Sequence, residues 1–149
     1  MLSDVYNKRI LELAANIPLL DRLPQPDATA KAHSRLCGST VTVDLTMEGD
    51  VVTGFGHEVK ACALGQASSS IMARHVVGST ADELRRVREQ ARAILKDQAE
   101  PPEGKWADLS VLVPVRDYKA RHASTLLTFD AVVEAIGQIE QRRQAAAVA

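Results

Sequence analysis

Residues 36–62 read LCGSTVTVDLTMEGDVVTGFGHEVKAC, a β-hairpin pattern that contains both of the protein's 2 cysteines. Hydrophobic side chains at positions 41, 43, 45 and 47 alternate with polar ones, as in a strand with one buried face. The acidic and glycine residues at 48–50 supply a turn, and a second strand pattern follows them. The segment therefore predicts two antiparallel strands with one cysteine near each outer end.

The register of this hairpin decides how close the two thiols come. A two-residue turn at positions 49–50 gives opposed residues an index sum of 99, which would place Cys37 directly opposite Cys62. Placing Val43 and Phe55 on the same buried face requires an even sum, so we expect a three-residue loop or a β-bulge. The thiols would then be diagonal neighbours, and we predict proximity rather than direct pairing.

The sequence on either side of the hairpin predicts mostly helices, from the spacing of its hydrophobic residues. The predicted elements are a helix over about Ser3–Asn16, a short strand over about Thr29–Arg35, helices over Leu64–Val77 and Ala81–Lys96, a short helix over Asp108–Val113 closed by Pro114, and a last helix from about Ala120. Thr80 and Glu83 form a capping box before the third of these helices. Strands followed by helices indicate one α+β domain over residues 1–149, with a frayed tail from about residue 142.

Composition excludes several classes of function. The chain has 149 residues, 46% of them hydrophobic, which is enough to bury one core. Its 18 lysines and arginines are interleaved with 19 acidic residues, so no nucleic-acid surface is predicted. No apolar run reaches the roughly 20 residues of a membrane helix, and the N-terminal pattern is that of an amphipathic helix rather than a signal peptide. We therefore expect a cytoplasmic protein, in which a metal site, a reactive thiol or simple burial explains cysteines better than a disulfide.

Two thiolates do not complete a tetrahedral metal site, which takes about four ligands. His122 and Ser124, at the start of the last helix, are candidates to join Cys37 and Cys62, and Ser39 is a further oxygen near Cys37. The positive end of that helix would favour an anionic metal–thiolate group. Each candidate also has a purely structural interpretation, because cysteines are often buried and serines often cap helices.

The remaining chemistry-bearing residues do not predict an enzyme. We expect His33, His57 and His75 to be surface or capping residues, because none has a partner at metal-ligand spacing. The sequence contains no nucleophile elbow, no glycine-rich phosphate loop and no paired catalytic carboxylates.

The order of several segments resembles the U-type iron–sulfur cluster scaffold family, which includes the NifU N-terminal domain, IscU and SufU. The segments are YNKRILELAANIP, LPQPDATA, LCGSTVTVDL, KACALGQASSSIMARHVVGSTADEL and YKARHASTLLTFDAV, and the resemblance covers about Ser3 to Ile139. The most specific feature is Cys62, which is followed by the small residue Ala63 and, after LGQ, by the run ASSS. It comes one hairpin after the cysteine–glycine pair at residues 37–38. The resemblance implies a small three-stranded antiparallel sheet packed against about four to five helices, with ligands gathered at one end.

The resemblance also implies a ligand set, position by position. The family's first two cysteines match Cys37 and Cys62. Its aspartate, two residues after the first cysteine, is Ser39 in this sequence, and its third cysteine falls on Ser124. A serine hydroxyl is a much weaker ligand for iron or zinc than a thiolate or carboxylate, so one protomer keeps two strong ligands.

Two further departures concern the segment before the last helix. Some members of the family place a histidine directly before the third cysteine, where this chain has Ala123, with His122 one residue earlier. The proline-rich chaperone motif of IscU proteins is missing, and YKAR instead resembles the aromatic-x-x-Arg segment of the SufU branch. The insertion typical of that branch is absent.

The function implied is that of a non-enzymatic scaffold or carrier in iron–sulfur cluster assembly. Cys37 and Cys62 would bind iron or a cluster, with the other ligands from His122 or Ser124 or from a second protomer. A two-fold homodimer would supply four thiolates, the number that a 2Fe–2S cluster takes. The implied partners are a cysteine desulfurase and other cluster-assembly proteins.

Two alternatives remain open at this point. In one, the chain keeps the scaffold fold but has lost its own cluster, and acts as a regulatory or binding module that docks on the assembly machinery. In the other, two thiolates, one imidazole and one oxygen bind zinc.

Overall fold

The polypeptide forms one antiparallel sheet with helices packed against it. The computed structural model describes residues 7–36 and 38–148. Within these residues the elements are α1 (Lys8–Ala15), β1 (Ala28–His33), β2 (Thr40–Glu48), β3 (Val51–Lys60), α2 (Ala63–His75), α3 (Ala81–Lys96), a 3-10 segment (Gly104–Asp117), a 3-10 turn (Lys119–Arg121) and α4 (His122–Val148). The strands lie in the order β1-β2-β3, and all neighbours are antiparallel. The predicted α+β fold with a three-stranded sheet is confirmed.

The hairpin of β2 and β3 contains both a tight turn and a bulge. Glu48 pairs with Val51 across a two-residue turn, whereas Leu45 pairs with Phe55, so the index sum changes along the ladder. The change occurs between Thr46 and Met47, where Thr53 has no opposed residue. This bulge keeps the alternating hydrophobic residues of both strands on one face, as the sequence predicted.

The hydrophobic core lies between that face of the sheet and the helices. Val41, Val43 and Leu45 are completely buried, and α4 packs along β1 and β2. α2 packs against both α1 and α4. The three consecutive serines of α2, Ser68–Ser70, are also fully buried, which agrees with the predicted close packing of small residues.

Two helices match their predictions closely. α3 runs over Ala81–Lys96, and the Oγ1 of its N-cap Thr80 accepts a hydrogen bond from the Glu83 N–H at 3.1 Å. α1 begins after Asn7, whose side chain caps it, and the part of the predicted first helix before Asn7 lies outside the described residues.

The segment before the last helix differs from its prediction. Pro114 does not end a short helix but lies inside the 3-10 segment Gly104–Asp117, which has a kink at Trp106. The fixed φ of proline is compatible with this tighter helix, so the missing N–H removes one hydrogen bond without breaking the segment.

Residues 142–148, where we predicted a frayed tail, are helical in the structure. α4 continues to Val148, and its arginines bind the sheet. Arg142 donates to the Asp27 carbonyl, and Arg143 donates to the carbonyls of Gly49 and Met47. These contacts hold the end of α4 against the hairpin tip. No helix in the described ranges is long and apolar enough to cross a membrane.

Candidate functional site

Cys62 lies at the start of α2, two residues after β3 ends. It is the N-cap residue, with an extended backbone (φ −67°, ψ 172°), and its side chain caps no backbone N–H. The Cys62 carbonyl accepts the first helical hydrogen bond from the Gln66 N–H at 2.9 Å. The thiol is half-buried and unoxidised. It therefore lies at the N-terminal end of a helix, where its sulfur is reachable from one side.

Ser124 lies opposite this thiol, in the first turn of α4. The Cys62 Sγ donates to the Ser124 Oγ at 3.7 Å, and the Ser124 Oγ in turn donates to the Arg121 carbonyl at 3.1 Å. With its hydrogen directed at Arg121, the hydroxyl presents lone pairs to the sulfur. Ser124 is only 1% exposed to solvent, so its hydroxyl is enclosed between the two helices.

Gly65 explains how the two helices come so close. A Cβ at this position would lie 3.2 Å from the Ser124 carbonyl oxygen and 2.7 Å from the Ala61 Cβ. Either contact would require atoms to move, the second especially. The lack of a side chain at residue 65 therefore favours the close approach of the first turn of α2 to the first turn of α4.

The other predicted ligands on the hairpin side are Cys37 and Ser39. Cys37 lies outside the described residues. Ser39 is 4% exposed, and its carbonyl accepts from the Ser34 N–H at 2.9 Å. The last pair of the β2–β3 ladder is Thr40 with Lys60, so the start of β2 lies beside the residues that lead into Cys62.

His122, the first residue of α4, is directed at the 3-10 segment. Its Nε2 lies 3.0 Å from the Arg116 carbonyl and 3.2 Å from the Val115 carbonyl, so this nitrogen carries a hydrogen and donates. The side chain is 5% exposed. Only Nδ1 is left to act as a metal ligand in this arrangement, and the ligand role of His122 stays a prediction.

The described residues contain no group of three or more histidine, cysteine, aspartate or glutamate side chains placed to hold a metal ion. That statement does not extend to Cys37. Of the five predicted site residues, the structure brings Cys62 and Ser124 into direct contact, and it directs the Nε2 of His122 to other partners.

One buried histidine was missed by the sequence interpretation. His57 is fully buried rather than a surface or capping residue. Its Nδ1 donates to the Leu19 carbonyl at 2.7 Å, and its Nε2 has no hydrogen-bond partner among the described residues. Burial lowers the pKa of His57 below its ordinary value. The signal was present in the strand pattern, since residue 57 lies on the same face as Phe55.

Comparison with known proteins identifies the family to which this fold belongs. The family model for the NifU-like N terminal domain matches residues 5–144. The chain belongs to the NifU-like N-terminal domain family. Because the match extends over nearly the whole sequence, the predicted resemblance to U-type scaffolds is confirmed.

Two relatives of this NifU-like domain match over most of its length. A crystal structure of a nitrogen-fixing NifU-like protein (N-terminal) from Brucella abortus is 62% identical, covers 94% of this chain and 97% of its own, and superposes with a TM-score of 0.92. The iron–sulfur cluster assembly scaffold protein IscU of Thermotoga maritima is 24% identical over 137 residues, which are 92% of this chain and 96% of that protein.

A more distant structure shares the fold of the NifU-like domain. A putative iron–sulfur cluster assembly scaffold protein for the SUF system, from Fervidobacterium islandicum AW-1, is 20% identical and has a TM-score of 0.82. It covers 90% of this chain and 98% of its own. At this identity the likeness concerns the architecture alone.

Proposed function

We propose that this protein is a non-enzymatic scaffold or carrier in iron–sulfur cluster assembly, and that it holds iron or a cluster through Cys37 and Cys62. The observation that carries the proposal is the contact between the Cys62 thiol and Ser124 across the first turns of α2 and α4. In the family pattern, position 124 is that of the third cysteine. The backbone thus brings two of the family's ligand positions together in a chain that belongs to the family.

The ligand set favours sharing between protomers. Hydroxyls replace a carboxylate at Ser39 and a thiolate at Ser124, and neutral hydroxyls are weak ligands for iron. Two protomers that bring their cysteines together provide four thiolates, which is the complement of a 2Fe–2S cluster. We propose that residues 1–149 act as one functional unit, and that a cluster binds at a two-fold interface of such units.

The proposed partners are a cysteine desulfurase and the proteins that receive the cluster, in the cytoplasm. Ser124 has no thiol with which to form a persulfide. Any sulfur accepted from a desulfurase must therefore reach Cys37 or Cys62. In a pull-down with a cysteine desulfurase, replacement of both cysteines should leave docking intact and abolish sulfur transfer.

Anaerobic reconstitution with iron and sulfide tests the proposal. The parent protein should become coloured, with one iron per chain and a mass of two chains, because one cluster is shared by two protomers. Cys37→Ala and Cys62→Ala should each lose the colour and the iron. Ser110→Ala, at an exposed position of the 3-10 segment, is the control and should behave like the parent.

Two outcomes would contradict the proposal. Freshly purified protein that contains stoichiometric zinc, and that does not exchange it for iron, would indicate a zinc site. A parent that binds no metal, while still capturing cluster-assembly proteins from a lysate, would indicate a docking module without a cluster.

A further inference from the structure

A small basic cavity lies behind the first turn of α4. It has a volume of about 220 Å³ and lies between the end of α3, the 3-10 segment and the start of α4. Its lining residues are Leu95, Lys96, Gln98, Arg116, Lys119 and His122. Cys62 is not among them, so the cavity is separate from the thiol site.

The charges of this cavity are unbalanced. Lys96, Arg116 and Lys119 line it, no carboxylate does, and none of the three forms an ion pair with the described residues. The neighbouring Asp97 is engaged by Arg92 at 2.7 Å, and Asp117 is an exposed residue outside the lining. Three cations around one concave site in a chain of net charge −1 create a local positive potential.

Several other arginines are paired with carboxylates instead. Arg85 binds Glu140, and Arg88 binds Asp130 at 2.7 Å. In a second cavity of similar size, lined by Asp27, Met47 and Ile139 among others, Arg142 and Arg143 are bound to backbone carbonyls. The basic cavity behind α4 differs in that two exposed lysines, Lys96 and Lys119, line it and form no ion pair with the described residues.

The wall of the cavity is fixed before any ligand binds. Arg116 donates from Nη1 to the Gln98 Oε1 at 3.0 Å and from Nη2 to the Ala99 carbonyl at 3.1 Å. Its Nε is buried and has no partner among the described residues. His122 is fixed as well, because its Nε2 donates to the carbonyls of residues 115 and 116. A guanidinium held in place loses little conformational entropy when an anion binds.

We propose that this basic cavity binds a small oxyanion that carries two negative charges. Lys96 and Lys119 supply mobile ammonium groups, and Arg116 supplies the fixed positive wall. The volume lies below the roughly 300–1,000 Å³ of sites for drug-sized ligands, so it suits a single phosphate or dicarboxylate group rather than a nucleotide. The group can come from a free ion or from the acidic side chains of a bound peptide.

The proposal does not depend on the proposed cluster function, because neither cysteine contributes to the cavity. The two sites nevertheless share one helical turn: His122 lines the cavity, and Ser124, two residues later, contacts Cys62. The oxyanion would thus bind behind the turn that presents Ser124 to the thiol. Metal-free protein can be used for the test, so its outcome is distinct from that of reconstitution.

Calorimetric titration of the metal-free full chain tests the proposal, with phosphate, malonate and a triglutamate peptide as separate probes at low salt. At least one probe should bind with a stoichiometry of one. Lys96→Gln combined with Lys119→Gln should weaken that binding about tenfold or more, because two charged hydrogen-bond donors are lost. Tighter binding of phosphate or malonate than of the peptide would identify a free ion as the natural ligand. Tighter binding of the peptide would identify the acidic side chains of a bound protein.

A charge-matched control distinguishes specific binding in the cavity from nonspecific electrostatic attraction of the anion to the protein. Lys8→Gln combined with Lys31→Gln removes two exposed lysines that do not line the cavity and should change the affinity less than about twofold. Both cavity lysines are exposed, so the variants should fold, which melting curves can verify. Absence of saturable binding for all three probes, or equal weakening by the control pair, would overturn the proposal.

Discussion

Ser124 shows how much a single atom changes at the residue scale. It contacts the Cys62 thiol from the first turn of α4, at the position that the resemblance assigns to the family's third cysteine, but its side-chain atom is oxygen. A thiol at this position would place a second sulfur beside that of Cys62. The position can therefore be tested by restoring sulfur.

We predict that Ser124→Cys increases the affinity for iron and zinc on the order of tenfold, because a thiolate replaces a neutral hydroxyl near Cys62. Competition with a chromophoric chelator measures the change. Ser110→Cys adds a thiol at an exposed position of the 3-10 segment and should leave the affinity unchanged. An equal gain in both variants would mean that the added thiol acts non-specifically.

The sequence predicted the positions of some site residues but not the burial or orientation of others. The proximity of Cys62 and Ser124 follows from the resemblance, because the family pattern assigns both to one site. The burial of Ser124 and the orientation of His122 depend on how α4 meets the 3-10 segment, and local sequence carries no signal for that packing. The basic cavity was missed for the same reason, since Lys96 and Lys119 belong to different elements.

At the scale of elements, the loop between α1 and β1 is held to the outer face of the sheet by one carboxylate. Asp44 on β2 is fully buried and accepts from Arg22 at 2.6 Å, from Thr29 at 2.6 Å and from the Leu23 N–H at 3.0 Å. Burial alone would raise the pKa of Asp44, but these hydrogen bonds outweigh burial and hold the pKa below its ordinary value. Gly56, opposite Asp44, leaves room for the loop backbone.

We predict that Asp44→Asn lowers the free energy of unfolding at pH 7 by about 1–3 kcal/mol, because an amide cannot accept all of these hydrogen bonds. The contribution of the carboxylate is present above its unfolded pKa of about 3.9 and is lost as the pH falls through the lower folded value. Urea denaturation between pH 7 and pH 3 measures both effects. The exposed Asp117→Asn is the control, and a loss of stability as large in this variant would contradict the role of Asp44.

Regular elements were largely predictable, whereas irregular ones were not. The alternation in β2 and the capping box of α3 are local signals, and both elements formed as predicted. A two-residue turn is compatible with an even index sum between paired residues only if one strand contains a bulge, and β3 supplies that bulge at Thr53. Pro114 was taken as a helix end because proline cannot continue an α-helix, but the segment around it is 3-10.

At the scale of the whole molecule, one buried imidazole links stability to pH. His57 lies against Phe55, with 4.8 Å between ring centroids, and its buried Nε2 has no hydrogen-bond partner within residues 7–36 and 38–148. A proton on Nε2 would be a buried charge without a partner. The folded protein therefore takes up that proton only at a lower pH than the unfolded chain does.

We predict that the free energy of unfolding decreases as the pH falls below about 6.5, the ordinary histidine pKa, with a slope of at most about 1.4 kcal/mol per pH unit for this one proton. His57→Gln should remove most of that slope between pH 7 and pH 5. A smaller part should remain, because burial also lowers the pKa of the half-buried His75.

The exposed His33→Gln serves as the control and should keep the full slope. Denaturation curves at several pH values provide the measurement for both variants. An unchanged slope in His57→Gln would show that some other group governs the acid sensitivity.

The missing side chain at Gly65 has a consequence for how such domains can diverge. Without a Cβ at residue 65, the first turn of α2 can lie close to the Ser124 carbonyl, a backbone group that any residue at position 124 also supplies. This close approach therefore places no demand on which atom the side chain of residue 124 carries. A lineage can discard a ligand and later regain it by one substitution, as long as the glycine persists.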